Sequence, residues 1–234
     1  MCEITVYLEK DGVKEKLMED VTRIEIKPDG VTLHKTFEPL QKVRATVHEI
    51  NSLAHTITLR PLLTVPTLDW IMKRRSIRKY TDETVTDEEI KGLLQMAMAA
   101  PSANDVRPWA FVVVRDLAKR QALAETHTWS TMCAQAPVVI GVLGDPSASD
   151  HWIEDCSAAT ENMLLAATAI DLGSVWVAIY PRQEREAWVR QILNIPANLR
   201  VLCLLPVGHP AESKPPRTRY EESKVHHETF GSSA

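Results

Sequence analysis

Three guanidiniums and a hydroxyl fall within five residues at Arg74, Arg75, Ser76 and Arg78. Forked donors, spare positive charge and one small polar contact are what a phosphate monoester binds through, so this segment reads as a phosphate grip. Farther along, Pro101-Ser102-Ala103-Asn104-Asp105 is a turn of small polar residues. Short side chains there let backbone amides approach a planar ligand. Arginines at a helix end are more often a solvated face, and such a loop is ordinary by itself. The order and separation of the two motifs carry the joint reading.

Between them the sequence specifies a helix. Thr86 and Glu89 have capping-box spacing, and Ile90, Leu93, Leu94 and Ala97 recur at helical intervals until Pro101 stops the run. Phe111 to Val114, entered through Arg107-Pro108-Trp109, reads as a buried strand. From there the pattern alternates. Helices are expected at 117–125, 155–171 and 185–193, and strands at 138–143, 175–179 and 201–207. Gly173 is expected as the C′ residue of the alanine-rich helix, and Trp176 as core.

The first 62 residues differ. Short β-rich runs at 4–8, 21–26, 31–33, 43–47 and 56–59 are separated by turns such as Asp11-Gly12 and Pro28-Asp29-Gly30, which predicts a small all-β barrel or sandwich. Pro61 to Thr67 reads as a linker, with Thr67 able to cap the helix that carries Trp70, Ile71 and the arginines. The organisation expected is therefore a β domain over 1–62, a linker over 63–67, a larger α+β domain over 68–230 and a tail over 231–234.

Composition excludes several classes of function. The 234 residues are 44% hydrophobic and 25% charged, with a formal net charge of −4, so no general attraction to nucleic acid or anionic lipid follows. Residues 1–63 hold nine Lys or Arg against ten Asp or Glu, which leaves no footprint for a phosphate backbone there either. The densest apolar runs, 136–143 and 201–207, have strand length and cannot span a bilayer. With no basic, apolar leader at the start, a cytoplasmic location is expected. Four cysteines, at 2, 133, 156 and 203, form no zinc-like spacing, and the last three read as small core hydrophobes. His34, His48 and His55 have no close partner at ligand spacing and read as ordinary strand or loop histidines. No Ser-His-Asp order, His-Glu-x-x-His or Walker sequence points to hydrolysis or phosphoryl transfer. Eight glycines without Gly-x-Gly-x-x-Gly exclude a Rossmann-type dinucleotide site.

The arginine segment followed by Ala100-Pro101-Ser102-Ala103 and Arg107-Pro108-Trp109 resembles the FMN-dependent nitroreductase family. The resemblance continues through Glu161-Asn162-Met163-Leu164-Leu165, Leu172-Gly173-Ser174 and Gly208-His209-Pro210 to Arg217-x-Arg219, covering about residues 66–230. It implies a three-layer α-β-α sandwich, bound FMN, NAD(P)H as a transient co-substrate, and a homodimer in which both chains build each site. By that resemblance Arg74, Arg75 and Ser76 hold the FMN phosphate and ribityl end. Arg78 and the Pro101–Asp105 turn face the ring, and Arg217 or Arg219 returns from the tail to the phosphate. Two positions depart from the family pattern: Asp105 stands where Asn is usual and Arg107 where Gln is usual. A carboxylate there would repel an anionic reduced flavin, which Arg107 could offset.

Residues 1–62 are similar to the CooT-like family of small nickel-binding proteins, through Met1-Cys2, Met18-Glu19-Asp20-Val21, the Pro-Asp-Gly turn and His55-x-Ile57-x-Leu59. That resemblance implicates Cys2 as a nickel ligand. Three functions follow as expectations. The first is an oxidoreductase passing electrons from NAD(P)H through FMN to a small aromatic or quinone-like acceptor by ping-pong exchange, with no acid or base assigned. The second is a nickel-binding or metallochaperone protein using Cys2, with the larger domain as dimer scaffold. The third is a relative that cleaves flavin or removes halogen from an aromatic substrate; the segment 133–152, which would shape its pocket, is not diagnostic.

Overall fold

The computed structural model describes residues 4–10, 13–27, 30–61, 69–217 and 219–231. The chain divides into two compact units, Met1–Asp69 and Trp70–Ala234. The linker expected at 63–67, Thr67 and Cys2 lie outside the described residues.

The first unit is a six-stranded sheet of β1 (Ile4–Lys10), β2 (Val13–Lys27), β3 (Gly30–Lys35), β4 (Gln41–Val43), β5 (Ala45–Asn51) and β6 (Thr56–Pro61) in the order β4-β3-β2-β1-β6-β5. All pairs are antiparallel except β1 with β6. Val6, Val21, Val31, Leu33, Ala45, Ile57 and Leu59 make its core. Strand β2 is longer than the run expected at 21–26, because Val13 to Asp20 is an extended, mostly exposed segment whose charges hide its strand character from hydrophobic periodicity. Asp20, at φ 60°, and a register shift between Val21 and Arg23 bend β2, so its first half pairs with β1 and its second with β3. The single strand expected at 43–47 is two: at Arg44 the chain leaves β3 and begins pairing with β6. Gly30 permits the turn into β3, since its φ is 145° and a Cβ would sit 2.4 Å from the Val43 carbonyl oxygen.

The second unit has three layers. Its antiparallel sheet runs β10 (Val177–Ala178), β11 (Arg200–Gly208), β8 (Val138–Gly144), β7 (Trp109–Val114), with β9 (Gly173–Ser174) also on β11. Every residue of β8 is buried, as expected of a strand covered on both faces. Ile140, Val142, Leu202 and Leu205 pack on one face with residues of α2 (Asp87–Met98) and α5 (Trp152–Ala169). Val139, Leu143, Val201 and Leu204 pack on the other with residues of α3 (Leu117–Ala124), α4 (Met132–Gln135) and α6 (Gln183–Leu193). A short α1 (Asp69–Lys73) precedes the arginine segment. The expected α+β class and sandwich are the observed architecture.

Local signals explain most boundaries. At α2 the Thr86 side chain accepts from the Glu89 amide at 3.2 Å while the Glu89 carboxylate accepts from the Thr86 amide at 2.7 Å. Two expectations are corrected. Helix α5 begins three residues early, at Trp152, and its left-handed residue after the C-terminus is Asp171 (φ 61°), not Gly173. Of the strand expected at 175–179 only Val177–Ala178 (β10) forms, with β9 lying just ahead of it at Gly173–Ser174. Trp176 is half-buried against the α2–α5 core. Cys133, Cys156 and Cys203 are free and buried, and burial pushes the first two thiols up to about 12, which removes them as nucleophiles at neutral pH.

One partly buried ion pair ties α6 to β11. Arg200 binds both oxygens of Glu186 at 2.7 and 2.8 Å, and the Val201 amide adds a third bond at 3.1 Å. Burial alone raises the Glu186 carboxyl, but these bonds and the charges of Arg200 and Arg190 outweigh it and hold it below the ordinary carboxylate value. A depressed folded value means that the stabilisation is present above the ordinary 4.5 and is lost as pH falls through the folded value. All six tryptophans, from Trp70 to Trp188, lie in the second unit, so their fluorescence follows its unfolding alone. Urea unfolding of Glu186→Gln at pH 7 should show a loss of about 1–3 kcal/mol against the native chain. That gap should narrow as the pH is taken below 4.5.

Candidate active site

The two ends of the second unit meet at one cleft of about 490 Å³, lined by Ile71, Met72, Arg74, Arg75, Ser76, Arg78, Lys214, Arg217 and Arg219. Sequence reading had placed Arg74, Arg75, Ser76 and Arg78 in one segment and Arg217 and Arg219 in the tail; the fold brings all six residues together. Backbone contacts hold them there. The Ile77 amide donates to Ser174 O at 3.0 Å, Ser76 and Ser174 form a parallel bridge, and Tyr80 bridges Pro210. Thr81 N donates to His209 O, Ala211 N to Lys79 O and Arg217 N to Met72 O, at 2.9, 2.9 and 3.0 Å. The Arg75 guanidinium donates to the Pro215 carbonyl.

Gly173 finds its role here. A Cβ on it would lie 2.6 Å from Ile77 Cγ2 and 2.9 Å from Ile77 Cβ, so any larger residue would lift the arginine segment off β9.

Charge dominates the cleft. Among the described residues six cations line it and no carboxylate does. Arg219 and Arg75 lie close enough to Arg217 that their charges lower its pKa. Two carboxylates sit at the margin. Glu161, on α5, is 3.6 Å from Arg74 Nε, and burial raises its carboxyl against the pull of that arginine. Glu212 accepts from the Arg78 amide at 2.6 Å and from Lys214 Nζ at 3.0 Å, which hold it below the usual carboxylate range. Lys214 also donates to the Ser76 carbonyl at 2.5 Å. Neither Lys214 nor Glu212 was recognised from sequence; a lone lysine ahead of two prolines carries no local pattern, and only the tertiary contact with Ser76 marks it.

The Pro101–Asp105 turn does not line this cleft in the single chain. Pro101, Asn104 and Asp105 are exposed and Ser102 and Ala103 half-buried. Asn104, Asp105 and Arg107 have φ of 51°, 55° and 54°, three left-handed residues without a glycine among them. Such conformations persist only where surroundings enforce them. Here Asp155, 5% exposed, accepts from the Ala103 amide and from the Ser149 hydroxyl, both at 2.9 Å, while Ser102 Oγ accepts from the Arg107 amide at 2.9 Å. Arg107 Nε lies 3.3 Å from Asp105 Oδ1, so the two departures from the usual Asn and Gln form a pair with each other, on solvent. Among the described residues no group of three or more His, Cys, Asp or Glu side chains is placed to hold a metal. His48 and His55 are exposed, and His34 lies 3.3 Å from Glu25.

Comparison with known proteins agrees with this geometry. Residues 71–131 and 125–209 match the model of the nitroreductase family, and residues 1–60 match that of the CO dehydrogenase accessory protein CooT. A protein of Archaeoglobus fulgidus, named as a candidate NADH dehydrogenase/NAD(P)H nitroreductase, is 42% identical over 170 residues, 70% of this chain and 98% of that one. The crystal structure of a similarly named protein from Parabacteroides distasonis superimposes with a TM-score of 0.70 at 39% identity, covering 71% of this chain and all of the other. A Desulfovibrio desulfuricans nitroreductase-type protein in complex with FMN has a TM-score of 0.62 at 32% identity, over 71% of this chain and 99% of that one. Fold, cleft and sequence similarity together establish that the chain, from Ile71 to His209, belongs to the nitroreductase family.

Proposed function

We propose that this chain, an NAD(P)H-dependent oxidoreductase of the nitroreductase family, binds FMN by its phosphate in the six-cation cleft and passes electrons from NAD(P)H to a small aromatic or quinone-like acceptor. The observation that carries this reading is the convergence of Arg74, Arg75, Arg78, Lys214, Arg217 and Arg219 on one cleft that no carboxylate lines. That donor set fits a dianionic phosphate and suits little else.

Bound FMN supplies the redox chemistry, accepting two electrons from the nucleotide and releasing them to the acceptor. The protein's part is placement and charge. Arg74, Arg75 and Ser76 with Arg217 or Arg219 take the phosphate, while Lys214 and Glu212 fix the backbone that leads to Arg78. Arg78, next along the segment, sets a positive charge at the ring end, where it favours the reduced, anionic form. The sequence carries no Rossmann-type dinucleotide motif, so on this reading reductant and acceptor take turns at the flavin, which is ping-pong exchange.

A single chain leaves the ring open, because its own Pro101–Asp105 turn lies off the cleft. We place the turn of a second copy over it. An apolar groove of about 670 Å³ between α2 and α5, lined by Trp70, Leu93, Met96, Leu165, Ala166 and Ile170 among others, supports a homodimer, since Trp70, Met96 and Ile170 stand exposed there. The Asp105–Arg107 pair then brings a nearly neutral edge to the flavin instead of a bare carboxylate.

A second reading belongs to the first unit, whose match to CooT supports nickel binding at Cys2. The described residues supply no ligand cluster to join it, so no chemistry is derived from it. Nickel titration of Cys2→Ser should show lost affinity with flavin redox unchanged; unchanged affinity removes the reading.

The flavin reading is tested by spectrum. Purified protein supplied with FMN should turn yellow and bleach anaerobically with NAD(P)H, and Arg75→Gln should bind FMN about tenfold more weakly. Protein that takes up no FMN ends the reading. Asp155→Ala, which orphans the Ala103 amide, should cost about 1–3 kcal/mol in stability and weaken FMN binding in the dimer. Asp155→Asn should retain both in thermal melts and FMN titrations, because its amide oxygen still accepts from Ala103 and its NH₂ can donate to Ser149.

A further inference from the structure

Beside the arginine cleft lies a second hollow of about 420 Å³, which shares Arg78 and Lys214 with it and is lined also by Lys79, Thr128, Trp129, Thr131 and the carboxylate of Glu212. Its most unusual member is Trp129, 77% exposed. A tryptophan standing in solvent is costly unless something covers it.

The loop beneath Trp129 is fixed. Ser130, fully buried, donates to Ala124 O at 2.8 Å and accepts from the His127 amide at 3.0 Å. The Trp129 amide donates to His127 Nδ1 at 3.1 Å, and burial together with the charge of Arg185 lowers the His127 pKa, which keeps that nitrogen free to accept. Met132 and Cys133, two and three residues after Ser130, are rooted in the core. The exposed ring is thus held on a rigid base.

Cations line the same hollow. Among the described residues Arg78 and Lys79 enter no ion pair, whereas Lys214 is matched by Glu212. Arg78 is committed to the flavin on the reading above, which leaves the Lys79 ammonium unmatched beside an uncovered indole and two threonine hydroxyls.

We infer that this hollow seats the second substrate, and that Trp129 and Lys79 select planar aromatic molecules carrying a carboxylate or phosphate. This rests on the flavin reading, because the hollow gains its meaning from adjoining the ring end of the cleft at Arg78. Trp129 supplies the stacking face and Lys79 the counter-charge. The ring could come from an anionic acceptor or from the adenosine phosphate arm of NAD(P)H, and one set of measurements separates them.

The test uses flavin-loaded, full-length protein, with Trp129→Ala, Lys79→Gln and the native chain. FMN affinity is measured first by absorbance titration. It should be the same in all three; native protein that binds no FMN defeats the flavin reading itself, whereas FMN lost only from the variants assigns the hollow to the flavin and overturns this inference. Steady-state kinetics then compare 4-nitrobenzoate with nitrobenzene as acceptors, and NADH with reduced nicotinamide mononucleotide, which lacks the adenosine arm, as reductants. Trp129→Ala should raise KM roughly 3- to 10-fold for the ligand that the hollow seats. Lys79→Gln should do so for 4-nitrobenzoate and not nitrobenzene, or for NADH and not the mononucleotide, and the effect should fade at high salt. A change for 4-nitrobenzoate but not nitrobenzene in Lys79→Gln assigns the hollow to the acceptor. A change for NADH but not the mononucleotide assigns it to the nucleotide arm. Calorimetric titration with 4-nitrobenzoate and with AMP should show the same loss without turnover. Equal KM values and unchanged binding in both variants overturn the inference.

Discussion

Six positive side chains held at one cleft repel one another, and the larger unit is built so that they cannot move apart. The repulsion is visible in Arg217, whose pKa is lowered by Arg219 and Arg75. What opposes it is backbone rather than counter-charge. The arginine segment is bridged to β9 at Ser76 and to the tail at Tyr80, and the tail returns bonds to Lys79 O and Met72 O. Gly173 allows the closest of these approaches by leaving room for Ile77. Glu161 and Glu212 stand at the rim, each engaged with one cation, and leave the centre uncompensated. An anion entering such a place meets charges whose arrangement was settled when the chain folded, so binding requires little reorganisation.

That dependence on tertiary contact decides what the sequence could disclose. The clustering of Arg74, Arg75, Ser76 and Arg78 was legible, since four polar residues in five positions announce themselves. Helix α2 was legible too, as Thr86 and Glu89 cap it through local bonds that any sequence window contains. The arrival of Arg217 and Arg219 at the same cleft followed from family resemblance and not from spacing: Arg75 and Pro215, which touch, are 140 residues apart. Lys214 was missed for the same reason. Gly173 was misread because a glycine after a helix suggests a C′ residue, while the actual constraint was a side chain from another part of the chain. In the first unit, Val13 to Asp20 lacked the alternation that betrays a strand, being held by hydrogen bonds to β1 while its side chains remain in water.

Strain and charge are distributed differently in the turn at 101–105. There the backbone is bent into three left-handed residues, and Asp155 anchors it from inside α5 by a single amide. Its two uncommon residues neutralise each other, which makes the substitution of Asp105 and Arg107 for the family's Asn and Gln a paired change. One alone would leave an unbalanced charge on the turn.

The geometry of the single chain therefore has the character of two half-sites that do not meet. One is the cation cleft, which the proposed reading gives to the FMN phosphate; the other is the exposed turn at 101–105, which lies off that cleft. Strained turns are retained where their shape is used, and exposed apolar grooves where something packs on them. A homodimer that buries Trp70, Met96 and Ile170 in the α2–α5 groove answers both requirements with one rotation axis, since a two-fold operator that brings a turn to its partner's cleft returns the partner's turn to the first. On the proposed dimer, electron transfer would be a property of the pair, with phosphate recognition belonging to each chain and enclosure of the ring to its neighbour.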